Sequence, residues 1–401
     1  MAVSLTERAA TAGKVSRIRA TSVPWIIPAV VFSSTAIVTG LLWDIAWHRS
    51  VGRDTLFTPP HDLEYLAALL AGLGCGFIVL RTTWFGTEVE KAAAVRFWGF
   101  RGPLGAWVCI WGALAMGASA PFDDWWHNAY GLDVKIVSPP HMVLLAGMMA
   151  IQVGAMLMVL SEQNRRSGLE GHGEQRLAWL YAASLGLLVL LGATAIFEYT
   201  AFPNLAHSRL YYQISGALFP LLLVAAGRAG RLRWPAATAA ACYMGLSLLA
   251  SWVLQLVPAI PKLAPIYNPL THLVPPPFPL VLVVPALALD LLLRRLGTGR
   301  DWLLSVLLGV TFVGVFLAVQ WTVTGFLLSP AARSWVFAVD QWDYNVRIGP
   351  WRYEFWDVPR TAGGAFDGPA FAKSIGFAAL FAVVSSRVAL WWGNWMARVR
   401  R

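Results

Sequence analysis

A chain of 401 residues that is 57% hydrophobic and only 13% charged is not an ordinary soluble domain, in which about a quarter of the residues carry charge. Its net charge of +10 would suit a nucleic-acid partner in a soluble protein, but here the basic residues sort by side of a membrane, so the expected partner is the lipid bilayer and no nucleic acid. Three cysteines without CxxC spacing (Cys75, Cys109, Cys242) speak against a disulfide framework or a thiolate metal motif and read as packing residues.

In chain order, apolar runs of membrane length predict an all-α fold, a polytopic transmembrane helical bundle of about ten spans. They lie near 24–43, 62–80, 104–120, 142–160, 177–197, 210–227, 234–256, 278–293, 302–329 and 372–393. The polar residues before the first run do not read as a cleaved signal peptide and form a cytoplasmic N-terminal segment, 1–23. Residues 24–160 are a duplicated metal-site region of four transmembrane helices, and 161–329 hold five further transmembrane helices. An aromatic-rich outer segment, 330–371, precedes the last transmembrane helix and basic C-terminus, 372–401. Alternate connections carry Arg81, Lys91, Arg96 and Arg101; Arg165, Arg166 and Arg176; Arg228, Arg231 and Arg233; Arg294, Arg295 and Arg300. The positive-inside rule then predicts a multi-pass protein of the bacterial inner (cell) membrane with both termini cytoplasmic. Six of the seven histidines (His48, His61, His127, His141, His207, His272) fall toward the periplasmic or outer face, and His172 in a polar cytoplasmic loop.

One phrase is written twice in the region 24–160. Asp44-Ile-Ala-Trp-His48 continues through Gly52 and Asp54 to Pro59-Pro60-His61, and Asp123-Asp-Trp-Trp-His127 continues through Gly131 and Asp133 to Pro139-Pro140-His141. The histidines are 13 positions apart in the first copy and 14 in the second. Both copies sit in the outer turn of a helical hairpin and have the same orientation, which makes a parallel repeat. An ionisable cluster beside apolar spans is costly and marks a functional site.

Asp-x-x-x-His spacing puts carboxylate and imidazole on one helix face, a turn apart. The Pro-Pro pair opens the next helix, where a missing N–H costs nothing, and delivers the second histidine to the same mouth. The candidate metal ligands are therefore Asp44, His48 and His61, and Asp123, His127 and His141. Two imidazoles and a carboxylate with open positions suit copper, zinc or non-haem iron. The competing reading is a metal-free Asp–His pair at a helix C-terminus, which favours a protonated imidazole. Trp47 and Trp126 read as interfacial anchors.

With Arg53-Asp54-Thr55 and Phe57-Thr58-Pro59 leading into His61, and Glu64-Tyr65 after it, the first copy resembles the Asp/His/His-bearing membrane subunit of the copper-containing membrane monooxygenases, the particulate methane and ammonia monooxygenases. The resemblance covers about residues 40–150. It implies copper in both triads, partner membrane subunits, and activation of dioxygen for hydroxylation of a small apolar substrate. Asp123 stands where the family pattern has Asn. Copper transport, chaperoning or sensing without oxygenase activity is the alternative. Residues 177–401 have no counterpart in the resemblance.

Weaker signals complete the reading. Asn268-Pro-Leu-Thr-His272 has the spacing of a decayed third copy, and Glu198 and His207 sit at another outer helix end. Gln152, Gln255, Gln320 and Asp290 are expected to make interhelical hydrogen bonds. The segment 340–357 reads as an interfacial anchor, with a lid or docking surface as alternatives.

Overall fold

The computed structural model describes residues 23–131, 138–166, 172–206, 208–297, 299–347 and 359–401. Within these residues the chain forms twelve α-helices, two 3-10 turns and one small antiparallel hairpin, Val95–Phe97 with Phe100–Gly102. The helices are α1 (Ile26–Ser50), α2 (Pro59–Phe85), α3 (Glu88–Ala93), α4 (Leu104–Tyr130), α5 (Pro139–Arg165), α6 (His172–Ala195), α7 (Phe197–Thr200), α8 (Arg209–Ala229), α9 (Pro235–Leu254), α10 (Val283–Leu296), α11 (Asp301–Leu327) and α12 (Gly368–Met396). Nine of them are long and apolar enough to cross a membrane, so the chain is a multi-pass membrane bundle.

The duplicated region folds as two hairpins, α1–α2 and α4–α5, with α2 packed against α4 and α1 against α5. Glycines set the closest approach. A Cβ on Gly112 would stand 2.7 Å from the Gly147 carbonyl oxygen, and one on Gly154 would stand 2.7 Å from that of Gly105. Backbones can come this near only where side chains are missing, the usual device in lipid, where apolar burial gives helices little reason to associate. Ser34 of α1 and Gln152 of α5 then join the hairpins, Ser34 donating its hydroxyl to the Gln152 amide oxygen while the amide nitrogen donates to the Ser34 carbonyl at 3.0 Å.

The expected eighth span is built differently from the rest. Its helix, α10, has 14 residues, about 21 Å and too short to cross alone. The chain before it is neither helix nor strand and runs buried through Leu273, Val274, Leu280 and Leu282. Val274 donates its N–H to Ser50 Oγ at the C-terminal end of α1. Farther along, Leu280 N–H donates to Tyr243 Oη and Val281 N–H to Gln320 Oε1. Asp290 caps the start of α9, accepting from the N–H groups of Ala236 (3.2 Å) and Ala237 (2.9 Å). This irregular chain and the short helix together therefore traverse the bundle. Pro275, Pro276, Pro277 and Pro279 explain the missing helix: each lacks a donor, and the residue before each is turned away from helical geometry. Non-helical backbone at this depth is tolerated because protein surrounds it.

The described chain begins and ends at one end of the bundle, opposite the repeated phrase. Basic residues meet there. Arg231 pairs with Glu174 at 2.8 Å, and Arg228 with Asp301 at 3.2 Å and with Asn394 at 2.7 Å. The Asn164 amide donates to the carbonyls of Met396 and Val399, both at 2.8 Å.

Candidate metal centre

At the other end of the bundle each hairpin gathers its three expected ligands. One ligand atom from each of Asp44, His48 and His61 lies within 4.8 Å of the others, and the same holds for Asp123, His127 and His141. In the first group Asp44 Oδ1 is 3.1 Å from His61 Nε2, and Asp44 Oδ2 is 3.6 Å from His48 Nε2. In the second, Asp123 Oδ1 is 3.5 Å from His141 Nε2, and Asp123 Oδ2 is 3.3 Å from His127 Nε2. The aspartate thus plays the same part in both copies, one oxygen toward each imidazole.

The sequence builds this from local rules. The C-terminal turn of α1 brings Asp44 and His48 to one face, and the chain then reverses through Gly52 at φ +80. The second copy reverses through Gly131 at φ +88. A positive φ is open to glycine and strained for other residues, so this repeated glycine is a backbone requirement of the turn. Trp47 Nε1 donates to the Arg53 carbonyl at 3.0 Å. It is a strut of the loop, where the sequence suggested an interfacial anchor. Trp126 packs against Tyr130 with the rings tilted by 43° and their centroids 4.5 Å apart. Thr58 closes a reciprocal turn with Thr55 and starts α2 at Pro59, while Ser138 caps α5 by accepting from the His141 N–H.

The outer imidazole nitrogens fix the chemistry of the inner ones. His61 Nδ1 lies 3.0 Å from the Thr55 carbonyl oxygen, and His127 Nδ1 lies 3.2 Å from that of Gly131. A carbonyl only accepts, so each Nδ1 carries the hydrogen, and in the neutral ring Nε2 presents a lone pair. Those lone pairs face carboxylate oxygens. Asp44 Oδ1 and Asp123 Oδ1 are both buried, and neither accepts a hydrogen bond while the facing Nε2 is unprotonated; a proton on His61 Nε2 makes the 3.1 Å contact to Asp44 a hydrogen bond. Two electron-rich atoms held this close require a shared cation, either a second ring proton or a metal. Metal–ligand bonds of about 2.0–2.2 Å leave neighbouring ligand atoms roughly 3 Å apart or slightly more, which the 3.1–3.6 Å separations fit.

Two further carboxylates belong to the first site. Asp54 Oδ2 is 3.5 Å from His48 Nε2 and 3.8 Å from His61 Nε2. Its place in the repeated Gly-x-Asp was the available signal, although spacing alone did not make it a ligand. Its counterpart Asp133 lies outside the described residues. Glu64, 2% exposed, follows His61 by one helical turn and packs on Gly40, where a Cβ would come within 2.6 Å of its Cγ. Its Oε1 accepts no hydrogen bond, and both Asp44 and His61 lie within its electrostatic reach.

The two sites are neighbours. His141 of the second lies in the field of Asp44 of the first, and Tyr65 lies in the fields of both Asp44 and Asp123. The first is also clasped from outside. Tyr344 N–H donates to the Arg49 carbonyl at 3.1 Å, Arg49 Nε donates to Asp343 Oδ1 at 2.6 Å, and the Tyr344 ring covers Gly52. Burial, with Asp343 beside it, raises the Tyr344 phenol above its ordinary pKa and keeps it neutral. Asp343 and Tyr344, in the segment read as an interfacial anchor, thus clasp the end of α1, while 348–357 of that segment lie outside the described residues.

Asn268 and His272 do not form a third copy. The Asn268 amide donates to the carbonyls of Asp343 and Val346, both at 2.7 Å, and His272 bridges to Pro258. Glu198 is exposed on α7. His207, the His172 side chain and Trp351–Asp357 lie outside the described residues. Gln255 and Gln320 make the expected bonds between elements. Comparisons of this chain with protein-family models, curated proteins and solved structures give no match.

Proposed function

We propose that the paired triads hold copper at the periplasmic face of a bacterial cell membrane, in a component that activates dioxygen to hydroxylate a small apolar substrate. The observation that supports the metal reading is the convergence, in both copies, of two imidazole nitrogens and a carboxylate oxygen within 4.8 Å of one another. Copper and the oxygenase chemistry rest on the sequence resemblance around residues 40–150 and on the affinity of imidazole for copper. When bound, copper supplies redox chemistry with dioxygen at open coordination positions. The chain's own residues supply the rest. His48, His61, His127 and His141 offer nitrogen, Asp44 and Asp123 offer one oxygen to each imidazole, and the Thr55 and Gly131 carbonyls hold two of the rings in the metal-binding tautomer.

Copper handling without oxygenase chemistry is the second reading, and it draws on the exposure of His48, whose side chain is 48% accessible. An apolar cavity of about 50 Å³ lined by Leu42, Ile45, Leu190 and Phe197 lies on another face of α1 from Asp44.

Metal analysis of the protein purified in detergent tests both. One to two copper ions per chain are expected, with nitrogen coupling in the electron paramagnetic resonance spectrum. Asp44→Ala or His48→Ala should remove one ion, and Asp123→Ala or His127→Ala the other. Zinc retained after copper-replete growth overturns the oxygenase reading, and a metal-free protein overturns both.

A further inference from the structure

Three sulfur atoms from three helices meet in the half of the bundle away from the triads. The Cys75 thiol of α2 donates toward Met158 Sδ of α5 at 3.9 Å, and the Cys109 thiol of α4, beside Cys75, donates toward the Ile151 carbonyl at 3.7 Å. Cys75 and Cys109 are fully buried, Met158 is 4% exposed, and both cysteines are free thiols. The fourteen helical residues from His61 to Cys75 along α2 put this cluster about 20 Å from the first triad. The glycines that draw α4 and α5 together also press the cluster inward, since a Cβ on Gly154 would overlap Cys109 Sγ, and one on Gly105 would come within 2.7 Å of Met158 Cγ.

Cysteine and methionine are good apolar fillers, and packing alone accounts for single sulfur atoms. Convergence is a separate observation. A three-coordinate centre with metal–sulfur bonds of about 2.3 Å sets its sulfurs about 4 Å apart, which is the Cys75–Met158 separation. Thiolate and thioether donors without oxygen or nitrogen select soft monovalent ions over zinc, calcium or magnesium.

We infer that Cys75, Cys109 and Met158 form a second, intramembrane metal site for a soft monovalent cation, Cu(I) or Ag(I). Release of one thiol proton per ion keeps the centre neutral, which a low-dielectric interior favours. Entry needs local motion of α2, and the Ala71-Gly-Leu-Gly-Cys75-Gly76 run provides it. Gly72 and Gly74 serve close approaches to Ala113 and Ile26, while nothing lies near Gly76, leaving slack beside the ligand. The inference is independent of the outer triads.

The test uses the full chain in detergent carrying Asp44→Ala and Asp123→Ala, so that the triads do not contribute. Titration with Cu(I), and with Ag(I) as a redox-inert probe, should load one ion per chain. X-ray absorption should then show a sulfur-only shell at about 2.3 Å. Cys75→Ala or Cys109→Ala should abolish loading, and Cys242→Ala should leave it unchanged. The near-isosteric Met158→Leu, which preserves packing if the cysteine variants fold poorly, should weaken binding about tenfold or more. No retained ion, a nitrogen or oxygen shell, undiminished loading in Met158→Leu, or a Cys75–Cys109 disulfide in protein purified without oxygen would each overturn the inference.

Discussion

At the scale of single residues, each half of the repeated phrase serves a separate purpose. Asp and His supply the ligand atoms that the proposed metal would need, and Gly is a backbone device. Gly52 and Gly131 share a left-handed conformation, but the Tyr344 ring fills the space beside Gly52, while among the described residues nothing lies near Gly131. Gly131→Ala should therefore cost only the backbone strain, about 1–2 kcal/mol. Gly52→Ala should cost more and deplete the metal of the first site in preference to the second. Thermal unfolding together with metal content per chain checks the ranking, and equal losses in the two variants would contradict it. The six triad residues were legible in the sequence because a repeat marks them. Glu64 was not read as part of the site, because its relation to Asp44 is fixed by Gly40 on the facing helix. Asp54 was visible as part of the pattern, but its distance to the imidazoles depends on how the loop closes.

At the scale of elements, the helices were predictable from apolar run length, and their contacts were not. Nothing in the composition of α4 and α5 says that Gly105, Gly112, Gly147 and Gly154 would face one another, although a spacing of seven places each pair on one helix face. Gly154→Leu should separate the helices and lower the unfolding temperature and yield sharply. Gly117→Ala, in the same helix as Gly112 but with open space around it, should be neutral or stabilising by up to about 1 kcal/mol. Size-exclusion profiles and thermal unfolding in detergent separate the two, and a tolerated Gly154→Leu would refute the close-packing argument. The sulfur cluster was hidden for the same reason: its members come from three helices with no sequence spacing to betray them. The eighth span illustrates the opposite limit. Its apolar composition predicted a membrane span over 278–293, whereas the structure has a helix of only 14 residues there, Val283–Leu296, preceded by proline-rich chain that is not helical.

At the scale of the molecule, the composite crossing decides parity. With it, Val23 and Arg401 lie at the end of the bundle where Arg228, Arg231 and Asn164 make their networks, and both triads lie at the other. Reporter fusions at the two chain ends should give the same cytoplasmic signal, and a reporter within 255–272 the opposite one. Opposite signals from the two ends would mean that residues 274–296 do not cross. Charge asymmetry predicts this parity from sequence, because lysine and arginine sort by compartment whatever the helix packing. The adjacency of the two triads needed the fold, since it follows from α2 packing on α4.

The clasp around Tyr344 has a kinetic meaning. The first metal-binding turn is held by a segment nearly three hundred residues downstream, through Arg49–Asp343 and the Tyr344 N–H. An ion can depart from that turn only as fast as the clasp loosens, whatever its equilibrium affinity. Chelator-driven release should therefore show a slow phase belonging to the first site. Tyr344→Ala should accelerate that phase and leave the occupancy at saturating metal unchanged, so a stopped-flow trace insensitive to the substitution would rule the clasp out as the gate. A motif written twice with the same ligand residues would then encode two sites with different residence times, one timed by a distant part of the chain.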